Sequence, residues 1–113
     1  QQAGLLQSGG GQCLNIMHCH FERNGTEGAP GANIQIGNDA ENGHAAPVIL
    51  GNFLFGGVLG GGDTAGECDY AVTLANTQAA LIQGNRAWGH VVEGLHLTGS
   101  LNADYVAQAN VWA

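Results

Sequence analysis

Apolar and polar residues alternate with a period of two in four short strings, "AGLLQS" (3–8), "ANIQIGN" (32–38), "YAVTLAN" (70–76) and "EGLHLTGS" (93–100). A period of two places alternate side chains on opposite faces, which is the signature of a β-strand. Their first apolar residues align as Leu5, Ile34, Val72 and Leu95. The next inward residues are Gln7, Ile36, Leu74 and Leu97, with the polar Gln7 the weaker fit. A second family of strings follows each of these: "NIMHCHFERN", "VILGNFLFGG", "LIQGNRAWGH" and "YVAQANVWA". Set in one frame, Cys19, Asn52, Asn85 and Asn110 share a column. Ile16, Ile49, Ile82 and Ala107 stand three residues before it, and Phe21, Leu54, Ala87 and Trp112 two residues after it. The run "TQAALIQG" looks helical in isolation but falls on the same frame, so strand is expected there too.

The chain therefore reads as four units, 3–30, 31–69, 70–92 and 93–113, the shortest complete one spanning about 23 residues. The second is longer because of two insertions, 39–46 and 56–69. Such repeats stack strand on strand, in parallel and in register, at about 4.8 Å. Equivalent asparagines then form a ladder in which each amide bonds the next. Asparagine also tolerates the left-handed backbone of a sharp bend, and the neighbouring Gly51 and Gly84 suit one. The expected fold is all-β, a single β-solenoid domain or fragment of about four turns.

Composition sharpens this picture. The chain has 20 glycines and 2 prolines, against about 8 glycines at average usage, so tight turns are frequent. Nine acids face two arginines, Arg23 and Arg86, with no lysine. The net charge of -7 argues against binding a nucleic-acid backbone or an anionic membrane surface. Without lysine, the glycine-rich "GGVLGGGD" is not a P-loop. No run of about 18 apolar residues exists, so no membrane insertion is expected. The start of the chain lacks the basic and apolar regions of a signal peptide. Cys13, Cys19 and Cys68 are odd in number and form no CxxC pair, so buried thiols are expected.

At "EGLHLTGSLNADYVAQANVWA" and "GANIQIGN…PVILGNFLFGG" the sequence resembles the right-handed parallel β-helix of the pectate-lyase-like superfamily, over nearly the whole chain. The resemblance is specific for architecture and weak for activity. The superfamily holds polysaccharide lyases, glycoside hydrolases, sugar epimerases, adhesins, and bacteriophage tailspikes and tail fibres. Unpaired strand edges need covering, and no cap is recognisable at either end of this sequence. Copies of the chain or flanking domains are thus expected to cover the ends. A trimeric tailspike-like segment, in a virion or outside a cell and bound to cell-surface polysaccharide, fits best. A lyase or hydrolase and an extracellular adhesin are the alternatives.

Candidate chemistry is sparse. The outward column Gln35, Thr73 and His96 carries no acid, whereas a glycosidase needs a carboxylate pair. Catalytic candidates are therefore confined to the insertions and their borders: Asp39, Glu41, Glu67 and Asp69. Asp63, Glu67 and Asp69 leave room for loose calcium binding, without a defined ligand spacing, and no other cofactor is expected. His18 and His20 in "HCH" are expected on one strand face, where two imidazoles can bind zinc, but no third ligand is in view, so no metal site is expected. A sugar-stacking platform is expected at Trp88, with Arg86, His90 and His96 supplying polar contacts, while Trp112 belongs to the core. "NGT" at Asn24–Thr26 matches the glycosylation acceptor pattern and falls at a predicted turn.

Overall fold

The computed structural model describes residues 3–7, 11–12, 14–22, 24, 31–37, 44–57, 68–90, 92–99 and 102–112. These residues are all-β: every regular element is a strand, and every strand pairing is parallel. The first row holds β1 (Ala3–Gln7), β2 (Gly11–Gln12), β3 (Asn15–Met17) and β4 (His20–Glu22). The second holds β5 (Ala32–Gly37), β6 (His44–Ala45), β7 (Val48–Leu50) and β8 (Phe53–Phe55). The third holds β9 (Tyr70–Ala75), β10 (Thr77–Gln78), β11 (Leu81–Gln83) and β12 (Arg86–Trp88). The fourth holds β13 (Glu93–Thr98), β14 (Val106–Gln108) and β15 (Val111–Trp112), with Ala103 bridging Gln78 where a short strand stands in the other rows.

Like strands of successive rows pair to give four sheets, ordered β1-β5-β9-β13, β2-β6-β10, β3-β7-β11-β14 and β4-β8-β12-β15. Leu5, Ile34, Val72 and Leu95 are register partners, as are Ile16, Ile49, Ile82 and Ala107. The helix-like run becomes β10 and β11. The short second sheet is absent from the sequence reading, and it claims part of an expected insertion: His44 and Ala45 form β6, inside 39–46.

One core draws on three of the sheets. Ile34, Ile36, Val72 and Leu74 from the first, Ile16, Ile49 and Ile82 from the third, and Leu54 and Ala87 from the fourth form a single buried cluster. Isoleucine and valine suit these positions because their branched side chains pack on a pleated surface. β9 is buried along nearly its whole length, so Ala71, Thr73 and Ala75 are covered along with the inward residues.

The bends also repeat in columns. Between the third and fourth sheets the left-handed position is His18 (φ 55°), Gly51 (65°), Gly84 (67°) and Ala109 (54°). Before the third sheet it is Ala46, Ala79 and Asp104 (53–55°), and after the first sheet Gly37, Asn76 and Gly99. The ladder asparagines therefore do not take the left-handed backbone themselves; the residue before each one does. His18 sits at such a bend and His20 on β4, so the two imidazoles do not share a strand face. Gly37 needs glycine twice over, since a Cβ there would also lie 1.9 Å from the Ala75 carbonyl oxygen.

Candidate functional site

The fourth sheet presents an outward face built from β4, β8, β12 and β15. Register pairing stacks His20, Phe53, Arg86 and Val111 in one file, and sets Phe55 between Glu22 and Trp88 in the next. His20 meets Phe53 edge-on at 4.9 Å, and Phe55 lies against Trp88 at 4.9 Å with a 32° tilt. Phe55 is buried beneath this face, whereas Phe53 (37% exposed) and Trp88 (48%) open onto solvent. Arg86 is also exposed, in the same file as Phe53. Glu22 lies 3.8 Å from His20 at the far edge. The result is an aromatic platform with one guanidinium, suited to a ligand that offers an apolar ring face and hydrogen-bond acceptors.

Of the expected binding residues, Arg86 and Trp88 share this platform; His90 and His96 do not. His96 belongs to β13 on the first sheet and stacks on Tyr70 at 4.1 Å and 8°. His90 turns into the corner between the fourth and first sheets. There the Asn33 amide nitrogen donates to the Phe55 carbonyl (3.1 Å) and lies 2.9 Å from His90 Nε2. An amide nitrogen only donates, so Nε2 accepts and the imidazole is neutral with its proton on Nδ1. Burial pulls the His90 pKa down to about 4, in keeping with that tautomer. Asn33 Oδ1 accepts from Asn24 Nδ2 at 2.8 Å and receives the Cys68 thiol at 3.5 Å. Asn24, of the glycosylation-like "NGT", is thus held in this corner.

Phe53 and Phe55 are the platform residues that sequence reasoning missed. The frame that aligns Asn52 with Asn85 already places Phe53 beside Arg86 and Phe55 beside Trp88. Trp112, expected in the core, is 39% exposed and packs over Gly94, where an added Cβ would lie 2.3 Å from the indole.

The asparagine file runs through the corner between the third and fourth sheets. Asn52 Oδ1 accepts from the Cys19 backbone N–H (2.9 Å), Asn85 Oδ1 from that of Asn52 (2.9 Å), and Asn110 Oδ1 from that of Asn85 (3.0 Å). The side-chain amides of Asn52, Asn85 and Asn110 donate to the Ile16, Ile49 and Ile82 carbonyls, each at 2.9 Å. Those of Asn52 and Asn85 also donate to the next oxygen in the file, at 3.0 and 2.9 Å. Cys19 takes part through its backbone, while its exposed thiol faces the Met17 carbonyl at 3.3 Å. The expectation of buried thiols therefore holds for Cys68 and fails for Cys19.

Asp39, Glu41, Asp63 and Glu67 lie outside the described residues, as does Cys13. Asp69 is half-buried where the second insertion ends. Its backbone N–H donates to Gly31 and its carbonyl accepts from Val92, while the Cys68 N–H bonds Gly56 and closes the base of that insertion. Among the described residues no group of three or more His, Cys, Asp or Glu side chains is placed to hold a metal ion. No helix of the described residues is long and apolar enough to cross a membrane. No protein-family model, curated protein or solved structure matches this chain.

Proposed function

We propose that the four rows are successive turns of a right-handed parallel β-helix, and that the chain is a rigid recognition module for cell-surface polysaccharide in a tailspike-like or tail-fibre-like protein. The recurring sheet order, the single register and the asparagine file support the helix. Its hand follows from the strong right-handed preference of parallel crossovers. In this reading the protein works in a virion or outside a cell, and copies of the chain, three in a spike-like arrangement, or flanking domains cover its ends.

The observation that carries the binding reading is the platform of Phe53, Arg86 and Trp88. A pyranose offers an apolar face of C–H groups, which stacks on aromatic rings, and hydroxyls that accept from a guanidinium. Hydrogen-bonded strands hold these side chains, so little ordering entropy opposes binding. Affinity electrophoresis through gels cast with bacterial capsular polysaccharides is the test. Trp88→Ala and Arg86→Ala each weaken binding at least tenfold, about 1.4 kcal/mol. Binding indifferent to both substitutions refutes the assignment. The enzymatic alternative rests on Asp39, Glu41, Glu67 and Asp69; reducing ends or unsaturated products released by the parent and lost in their alanine variants would establish it. Binding without either product or virion association would favour an adhesin.

A further inference from the structure

We infer that Asn33 and His90 are positioning residues of the aromatic platform, and that protonation of His90 releases a sugar held there. The release half of this inference rests on the polysaccharide reading; the positioning half does not.

His90 follows the end of β12, just past Trp88, and Phe55 ends β8 in the row before. One side chain ties these two strand exits together. Asn33, fully buried on β5, gives one amide proton to the Phe55 carbonyl (3.1 Å) and the other to His90 Nε2 (2.9 Å). The two backbones run close at this point. The Gly56 N–H donates to the Trp88 carbonyl at 2.8 Å, and a Cβ added at Gly56 would lie 2.7 Å from His90 Cα. The Phe55 ring in turn lies against the Trp88 indole at 4.9 Å. Trp88 therefore takes its place from Phe55 beside it and from the corner behind it. Asn33 is closed to solvent, so it acts on a ligand only through these neighbours.

Asn33 has no spare bonding capacity. Its Oδ1 already accepts from Asn24 Nδ2 (2.8 Å) and from the Cys68 thiol (3.5 Å). A protonated imidazole donates from both nitrogens, so Nε2–H would face the Asn33 NH2, donor against donor. The amide can accept that proton only by turning over. Turning over takes Oδ1 away from Asn24 and takes the donor away from the Phe55 carbonyl, which costs a buried bond. By either route, acid breaks the tie between the ends of β8 and β12. The titratable groups on the segments that meet at this corner are Cys68, whose thiol lies on Asn33, Asp69, whose carbonyl accepts from the Val92 N–H, and Tyr70, which stacks on His96. Burial alone lowers the His90 pKa to about 4, with no charged neighbour contributing. The tie is thus complete at pH 6, and about one quarter of it remains at pH 3.5. A ligand that needs the tied platform binds about fourfold more weakly at pH 3.5 than at pH 6.

The experiment uses a Trp112→Phe background, which leaves Trp88 as the one tryptophan. Acrylamide quenching reads the exposure of Trp88 without any sugar, and affinity electrophoresis in capsular polysaccharide reads binding. From pH 6 to pH 3.5, at unchanged far-UV circular dichroism, quenching rises and binding falls about fourfold. His90→Gln keeps an oxygen that accepts from Asn33 and takes no proton, so it loses both changes. His20 and Glu22, at the platform edge, are common to both proteins, and the difference between the two profiles belongs to His90. At pH 7, His90→Ala raises quenching and weakens binding, while His90→Gln matches the parent. Parallel pH profiles in the parent and His90→Gln overturn the inference, and so does an unaltered Trp88 in His90→Ala at pH 7. Binding that stays level while quenching rises overturns the acid release. Absence of binding at every pH would instead end the polysaccharide reading and leave quenching to judge Asn33 and His90.

Discussion

Replacing Asn85 with alanine removes the most connected side chain in the file. Asn85 is fully buried. Its Oδ1 receives the Asn52 backbone N–H and the Asn52 side-chain amide, and its Nδ2 serves the Ile49 carbonyl and Asn110 Oδ1. Asn110 Oδ1 keeps the Asn85 backbone N–H after the change, so it is not orphaned. The Asn52 N–H and one Asn52 amide proton lose their acceptor in a region closed to water. A buried donor left unsatisfied costs about 1–3 kcal/mol. With two orphaned donors and a small void, the expected loss is about 3–5 kcal/mol, or roughly 12–20 °C in Tm for a chain of this size. Asn110→Ala exposes its orphaned groups to solvent and costs about 1–2 kcal/mol. Cys19→Ala leaves the backbone bond to Asn52 intact and changes stability by less than about 0.5 kcal/mol. Urea unfolding, with m held constant across the series, gives the three values. An Asn85→Ala variant within about 1 kcal/mol of the parent, or no worse than Asn110→Ala, refutes the proposition that buried amides hold the rows together.

Two further outcomes follow from the corners. Gly37→Ala and Gly84→Ala both force a left-handed alanine, at about 1 kcal/mol, but an added Cβ at Gly37 also meets the Ala75 carbonyl while nothing lies within 4 Å at Gly84; urea titration should show Gly37→Ala at least about 2 kcal/mol the worse. His90 supplies a pH dependence. Its folded pKa of about 4 lies below the unfolded value of about 6.5, so its contribution is present above pH 6.5 and is lost as pH falls through 4. Taken whole, a shift of that size is about 3 kcal/mol, and partial solvent access reduces it to about 1–2 kcal/mol. His90→Gln, which keeps an acceptor toward Asn33, should flatten the stability difference between pH 7 and pH 4.5 by that amount, and an unchanged difference refutes the neutral-imidazole assignment. Burial lowers the His44 pKa in the same direction, so the variant retains part of the acid sensitivity.

Long-range pairing was legible in this sequence wherever a column carried one kind of residue. The isoleucines at 16, 49 and 82 and the asparagines at 52, 85 and 110 reveal the register because a buried position in a stacked strand admits few alternatives. Columns with mixed occupants were opaque. The short second sheet brings together Gly11 with His44 and Thr77, then Gln12 with Ala45 and Gln78. No pattern of hydrophobicity or shape joins these residues, and strands of two residues are too short to display a period. The bends were half legible: Gly51 and Gly84 mark their column, but His18 and Ala109 occupy the same left-handed position, where a side chain costs about 1 kcal/mol and rows bonded on their sides sustain it. The platform was half legible too. Trp88 and Arg86 stand out by type, whereas Phe53 and Phe55 join them only when the register sets each beside its partner on β12.

The asparagine file and the aromatic platform are linked through register. In a parallel stack, a slip of one residue exchanges the inward and outward faces of a strand. β8 alternates Phe53, Leu54 and Phe55, and β12 alternates Arg86, Ala87 and Trp88, so both strands carry sizeable side chains on both faces and hydrophobicity alone specifies their pairing weakly. The directional bonds from Asn52 to Asn85, one residue upstream of each strand, remove that ambiguity, because a slipped pairing would leave buried amides unpaired. With alignment fixed from the corner, the outward positions are released from any duty in folding. They can hold rings and a guanidinium that contribute little to stability, arrayed at the strand spacing of about 4.8 Å. A chain with only 10% charged residues thus sets its register with neutral amides and keeps a rare cation, Arg86, on the exposed face.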